Sequence, residues 1–210
     1  AKNIWNYRRH VRLKLWPKNP GFSLGFVGID KTHVPIKQCD IFLNTDILAK
    51  LDALVATFPC EKIKEARLSI LKDSDTFVLF FEFEPKIPKK VVALLSSALD
   101  HGSFFKGVIL KSPHEQIEMG EVEVKIAVLG QSFICRPDAF VQNNAEQSEK
   151  IYQDLVYQIK SIKTSSEILD LYSGIGISSI LLAQNGFKVT SVELSPQAVA
   201  LAKKCARKSG

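Results

Sequence analysis

Residues Ile168–Gly176 read ILDLYSGIG, and a second apolar run, KVTSVE, closes on Glu193. Each run ends beside a carboxylate, Asp170 in the first and Glu193 in the second. Two glycines between them, Gly174 and Gly176, let the backbone close on a ligand. A carboxylate about 20 residues further on can grip ribose hydroxyls. Such residues suit a nucleoside cofactor. The dinucleotide fingerprint wants a third glycine three residues after the second, and Ser179 stands there instead. That departure tilts the reading towards S-adenosylmethionine. The bland alternative is a plain β-α-β unit whose glycines only tighten the turn. With both acids in place, the cofactor reading leads.

A second constellation lies at the other end. Residues 1–18 hold Lys2, Arg8, Arg9, Arg12, Lys14 and Lys18 and no acid, while the other 22 Lys and Arg balance 22 Asp and Glu. The whole net charge of +6 therefore sits in one patch. Along 6–15 the residues alternate. Tyr7, Val11, Leu13 and Leu15 point one way, and Arg8, His10, Arg12 and Lys14 the other. A strand of this kind buries one face and presents a basic row, which suits a polyanion because neutralised phosphates release counterions. Trp5, Tyr7 and Trp16 offer stacking surfaces nearby, so nucleic acid is the favoured partner. The alternative is a solvated edge strand kept from aggregating by its charges.

The elements that must position these groups follow from periodicity and punctuation. Short strands are expected at 22–28 and 33–36, after the turn at Pro17–Gly21. Helical spacing of Ile47, Leu48, Leu51, Leu54, Val55 and Phe58 predicts a helix over 46–58, with Asn44 and Thr45 as candidate caps. Residues 65–72 and 76–84 form a hairpin around Asp73–Asp75. Pro88 opens a helix through Leu99 that Gly102 ends. Residues 105–111 and 122–134 add further strands. Asn144 and Gln147 have the form of a capping box, and Ile151, Tyr152, Leu155, Val156 and Ile159 mark the buried stripe of the helix that follows. The fold class is therefore an α+β central domain over 1–137, followed over 138–210 by the N-terminal part of an α/β, Rossmann-like cofactor-binding domain. The boundary near Pro137 rests on the change of pattern alone.

Composition sets the remaining bounds. An apolar content of 46% in 210 residues is enough for a core. No apolar run approaches the roughly 18 residues that span a bilayer, and the basic start has no apolar stretch behind it to act as a signal peptide. Cys39, Cys60, Cys135 and Cys205 are scattered, which argues against a disulfide framework and for a reducing cytoplasm. Only two strands of the parallel sheet precede Gly210, so the chain is expected to be a fragment of a longer, monomeric enzyme.

Five segments together resemble the S-adenosylmethionine-dependent RNA uracil-5-methyltransferases, above all the bacterial 23S ribosomal RNA branch. They are WNYRRHVRLKL at 5–15, IKQC at 36–39, PDAFVQNNA at 137–145, ILDLYSGIG at 168–176 and VTSVE at 189–193. The resemblance implies that the central domain binds RNA and that the cofactor is S-adenosyl-L-methionine. It places Gln142 beside that cofactor, Tyr172 at the wall of its pocket, Gly174 and Gly176 at the close approach, and Glu193 on the ribose. Asp170 becomes a partner for the methionine amino group. Ile177 stands where the ribosomal enzymes often carry Asn, so any contact there comes from its backbone. Arg8, His10, Arg12 and Lys14 become the RNA-binding row. Cys39, in its Lys-Gln-Cys context, matches the fourth ligand of a [4Fe-4S] cluster. That role requires three upstream cysteines that precede Ala1, so within residues 1–210 it reads as an ordinary buried thiol.

The chemistry the family implies begins with a cysteine thiolate adding to carbon 6 of uracil. Carbon 5 then takes the methyl group, and a carboxylate base removes its proton. No catalytic residue of this pair is expected within the chain; both should lie beyond Gly210, so residues 1–210 alone are expected to be inactive. Two other readings stay open. One is an RNA-binding module without activity, and the other is a methyltransferase acting on a different RNA, such as tRNA, or on another class of substrate.

Overall fold

The computed structural model describes residues 4–42, 46–73, 76–162 and 166–209. The chain divides into two compact units that meet between Glu123 and Val124. The boundary expected near Pro137 therefore moves towards the N-terminus, because residues 124–135 pair with each other and pack on helices of the second unit.

The first unit is built on a seven-stranded sheet. Its strands are β1 (His10–Pro17), β2 (Phe22–Val27), β3 (His33–Pro35), β4 (Glu65–Asp73), β5 (Thr76–Glu84), β6 (Phe105–Lys111) and β7 (Gln116–Gly120), in spatial order β3-β2-β1-β4-β5-β6-β7. All neighbours are antiparallel except β5 and β6, which run parallel and are joined through helix α2 (Lys89–Asp100). Helix α1 is Asp46–Val55. The expected caps Asn44 and Thr45, and the turn residues Ser74 and Asp75, lie outside the described residues.

Period-2 alternation puts Val11, Leu13 and Leu15 on one face of β1. That face joins a single core with Ile47, Leu48 and Leu51 of α1 and Val91 and Leu95 of α2. Each such side chain taken fully from water contributes about 1.5–3 kcal/mol. Gly21 closes the turn into β2 at φ +77°, and a β-carbon there would lie 2.0 Å from the Ala56 carbonyl oxygen. Gly102 ends α2 as expected, at φ +73°, its N–H bonded to the Leu99 carbonyl.

The expected start of β1 and the alternative reading of it as an edge strand both differ from the structure. Strand β1 starts at His10 and not at Asn6, because Asn6 has a left-handed φ of 51° and breaks the extended run. The stretch before it is tied to residues 40–42, with Asn6 N–H donating to Asp40 and Arg8 N–H to Ile41. Strand β1 also lies inside the sheet, between β2 and β4, so its charges do not guard an edge.

The second unit opens on an antiparallel hairpin, β8 (Val124–Val128) and β9 (Gln131–Cys135). The single strand expected over 122–134 is folded back at Leu129 and Gly130, both with positive φ. Helix α3 (Ala145–Ser161) follows, then β10 (Glu167–Leu171), α4 (Ile177–Gln184), β11 (Lys188–Val192) and α5 (Pro196–Ser209). β10 and β11 are parallel, with Asp170 beside Ser191 and Leu171 beside Val192. In α3 the expected stripe is half-buried at Tyr152, Leu155, Val156 and Ile159, whereas Ile151 is exposed.

Candidate cofactor site and basic sheet face

Strand β10 delivers Asp170 to the mouth of a loop, Tyr172–Gly176, whose backbone takes three left-handed residues: Tyr172 (φ 59°), Gly174 (φ 57°) and Gly176 (φ 80°). For Tyr172 this conformation costs about 1–2 kcal/mol, and its ring is 90% exposed. Gly176 is the N-cap of α4, and a β-carbon there would press on the Ala202 side chain of α5 at 3.0 Å. At Gly174 a β-carbon would meet nothing, so that stretch of backbone stands against open space. A ligand can therefore approach the chain there. Ile177, the first residue of α4, has its side chain buried, leaving only its backbone for contact.

Strand β11 brings Glu193 to the same loop. One carboxylate oxygen accepts the Gly174 N–H at 2.9 Å and the other accepts the Ser195 N–H at 2.8 Å. The Ser195 and Gly174 amides hold this carboxyl below its ordinary value, against a smaller opposing effect of burial. Each oxygen keeps a further lone pair. A partly buried carboxylate at this position can accept two neighbouring hydroxyls.

Asp170 is fixed from α4. Ser178 donates to its Oδ2 at 2.6 Å, Ser179 donates to the same oxygen, and Ser191 of β11 donates to Ser179 at 2.7 Å. The phenol pKa of Tyr152, in α3, is raised by burial and by the negative charge of Asp170. A cleft of about 280 Å³ is lined by Ser173, Gly176, Ser179, Ser191, Glu193 and Ala202, among others.

The segment 137–145 is anchored by charge. Arg136 and Asp138 form a two-pronged ion pair, at 3.1 and 3.2 Å, with side chains 11% and 5% exposed. Gln197, in the first turn of α5, adds a 2.6 Å hydrogen bond to Asp138. Asn144 caps α3 by accepting the Gln147 N–H at 3.0 Å, as its sequence context predicts. Phe140 is 75% exposed, Gln142 is half-buried, and the Asn143 side-chain oxygen is buried without a hydrogen-bond partner.

The structure thus brings together Asp170, Gly174, Gly176, Ile177 and Glu193. Among the described residues no hydrogen bond joins Gln142 to that group, and Tyr172 belongs to the loop with its ring turned outwards. Sequence reasoning missed Ser178, Arg136, Asp138 and Gln197, and took Ser179 only as the departure from a third glycine, not as a partner of Asp170. The hydroxyl pair directly after the glycines, and the acid and base flanking Pro137, were the available signals.

The basic row is more divided than its alternation implies. Arg12 forms an ion pair with Glu82 of β5, and Lys14 lies over the Trp16 ring at 4.6 Å from its centre. Trp16 in turn stacks on His33 at 5.1 Å. Arg12 and Lys14 share a cleft of about 490 Å³ with Lys31 and Arg67, on the sheet face opposite the two helices. Arg8 stands apart, bridged to Phe42 and with a buried Nε, and His10 is half-buried at the start of β1. Arg9 is buried.

Cys39 is half-buried against the core of the first unit. Among the described residues no three His, Cys, Asp or Glu side chains gather where they could hold a metal ion. A four-thiolate cluster does not fit the residues present. No described helix is long and apolar enough to cross a membrane.

A sequence model of the tRNA (Uracil-5-)-methyltransferase family matches residues 66–209, more than half of the chain. The chain belongs to that family. A protein of Protochlamydia amoebophila described as an uncharacterized RNA methyltransferase is 34% identical over 97% of this chain and 47% of its own length. The 23S rRNA (uracil(1939)-C(5))-methyltransferase of Shewanella denitrificans is 28% identical over 98% of this chain and 49% of its own. The chain therefore spans about half the length of these curated relatives. In crystal form, the tRNA (uracil-54, C5)-methyltransferase of Pyrococcus abyssi, in complex with S-adenosyl-L-homocysteine, superposes with a TM-score of 0.74 at 16% identity. That match covers 100% of this chain and 54% of the other. At that identity the likeness carries the fold alone: an α+β unit followed by the opening of a Rossmann-like, class I methyltransferase domain.

Proposed function

We propose that this family member transfers a methyl group from S-adenosyl-L-methionine to carbon 5 of a uridine in RNA, with 23S ribosomal RNA as the substrate. It works as a monomer in the cytoplasm. The observation that supports this most is the Glu193 carboxylate strapped across Gly174 and Ser195, with Asp170 one strand away. Such a corner is shaped for a nucleoside carrying an amino-acid tail. When bound, the cofactor supplies an electrophilic methyl group on a sulfonium. Glu193 accepts the ribose hydroxyls, the open backbone at Gly174 allows close approach, and Asp170 meets the methionine amino group. Gln142, Tyr172 and the Ile177 backbone N–H complete the contacts. Arg12 and Lys14, beside the Trp16–His33 stack, hold the RNA backbone, with Arg8 and His10 at the margin of the row.

The nucleophile that the covalent route requires is not Cys205. That thiol is fully buried in α5 and accepts the Ile134 N–H at 3.1 Å. The Lys-Gln-Cys context of Cys39 favours the ribosomal substrate. The tRNA reading is supported by the names of the family and of the Pyrococcus enzyme, and a methyl group found in tRNA alone would select it.

The cofactor assignment is tested by calorimetry on the full-length protein. Glu193→Ala should weaken S-adenosylmethionine binding about tenfold to hundredfold, the range for a hydrogen bond to a charged group. Unchanged affinity in a folded variant would remove Glu193 from the site.

A further inference from the structure

We infer that Ser178 and Ser179 are positioning residues that aim the Asp170 carboxylate at the cationic end of the cofactor, an inference that rests on the reading of Asp170 given above. Ser179 is buried, and its hydroxyl both accepts from Ser191 and donates to Asp170 Oδ2. Ser178 donates to that same oxygen. A carboxylate oxygen offers about two lone-pair sites, so Oδ2 is filled by the two hydroxyls. Oδ1 receives no hydrogen bond from any described residue. The carboxylate is therefore held in one orientation, with one oxygen spent on the protein and the other left for a donor.

Ser179 stands three residues after Gly176, where a dinucleotide site has its third glycine. In a dinucleotide site a glycine at this place lets helix and strand pack closely. Here a hydroxyl fills the space and ties three elements together: β10 through Asp170, α4 through its own backbone, and β11 through Ser191. A ligand with a diphosphate gains nothing from a carboxylate fixed in this way, since two anions would face each other. A ligand ending in an ammonium group gains a preoriented acceptor whose ordering cost is met during folding. The serine pair thus contributes to specificity for an amino-acid tail and is more than a turn filler.

Two probes separate this role from a simple strap between strands. S-adenosylhomocysteine carries the amino-acid tail, and 5′-methylthioadenosine has the same nucleoside without it. In the full-length protein, Ser178→Ala with Ser179→Ala should weaken S-adenosylhomocysteine roughly tenfold, the low end of a charged hydrogen bond, and methylthioadenosine less than about twofold. Ser179→Thr keeps the hydroxyl and should restore most of the difference. Ser178→Ala alone, at a half-buried site in the first helical turn, keeps the test open if the double variant does not fold. Asp170→Asn is measured alongside. An equal loss for both probes would make the serines a structural strap and overturn the inference. So would loss of tail discrimination in Asp170→Asn with full retention in the serine variants. If Asp170→Asn itself leaves the ratio of the two affinities unchanged, the reading of Asp170 fails, and the inference with it.

Discussion

Replacing Asp138 by Ala should destabilise the second unit by about 3–5 kcal/mol, the cost of breaking a buried ion pair from one side. The magnitude follows from the environment of the group left behind. With Asp138 gone, the Arg136 guanidinium, 11% exposed, loses both prongs of this contact. Gln197 loses its acceptor as well. Asp138→Asn preserves shape and one acceptor and should cost less. Gln197→Ala, which removes only the outer bond, should cost about 1.5–3 kcal/mol as the loss of a charge-assisted hydrogen bond. Urea titration followed by far-ultraviolet circular dichroism reads the effect, because α3, α4 and α5 supply most of the helical signal. The midpoint should fall while the denaturant slope holds. A cost below about 1 kcal/mol, in the range of an exposed pair, would show that this pair does not anchor the segment that carries Gln142.

Changing both Arg12 and Lys14 to Gln should flatten the slope of log RNA affinity against log salt by about 0.7 per lost phosphate contact. Glu82→Gln should move it the other way by freeing Arg12, and an unaltered slope in both would place the RNA elsewhere. Because the Glu193 pKa is lowered in the folded protein, its strap across the loop is fully present above the ordinary carboxylate value and is lost only as pH falls through the lower, folded value. The amide resonances of Gly174 and Ser195 should titrate together below the usual range near 4.5, and a midpoint at or above it would contradict the two hydrogen bonds. Gly176→Ala should lower stability by at least about 1–2 kcal/mol, since it combines a left-handed backbone with pressure on Ala202. A neutral result in thermal melts would refute the close packing of α4 on α5.

Much of this arrangement was legible from residue types because local chemistry and tertiary packing agree. The alternation at Val11, Leu13 and Leu15 became the buried face of β1, Gly102 stopped α2, and Asn144 capped α3. The glycine loop and the two strand-end acids came together as their spacing demands. What stayed hidden depends on partners far away in sequence. Apolar residues flank Gly130 on both sides over 122–134, and a lone glycine inside a strand pattern marks a bulge as readily as a turn, so the reversal at Leu129–Gly130 was not separated from a continuous strand. Strand β7 is an edge strand whose mixed residues, Gln116–Gly120, carry little strand signal of their own. Charge patterning counted Arg12 and Lys14 as free cations, whereas Glu82 and Trp16 engage them across the sheet face. The orientation of Asp170 depends on Ser191, a residue of the next strand, and no spacing rule connects the two.

The central claim, that this corner serves methylation of uracil in RNA, is tested most directly with the full-length protein and S-adenosylmethionine carrying a labelled methyl group. RNA lacking the modification is incubated with both, digested to nucleosides and resolved by mass spectrometry. Label in 5-methyluridine from 23S ribosomal RNA, reduced by Glu193→Ala at subsaturating cofactor, is the predicted result. Label on any other nucleoside, or none from a protein that binds the cofactor, would contradict it.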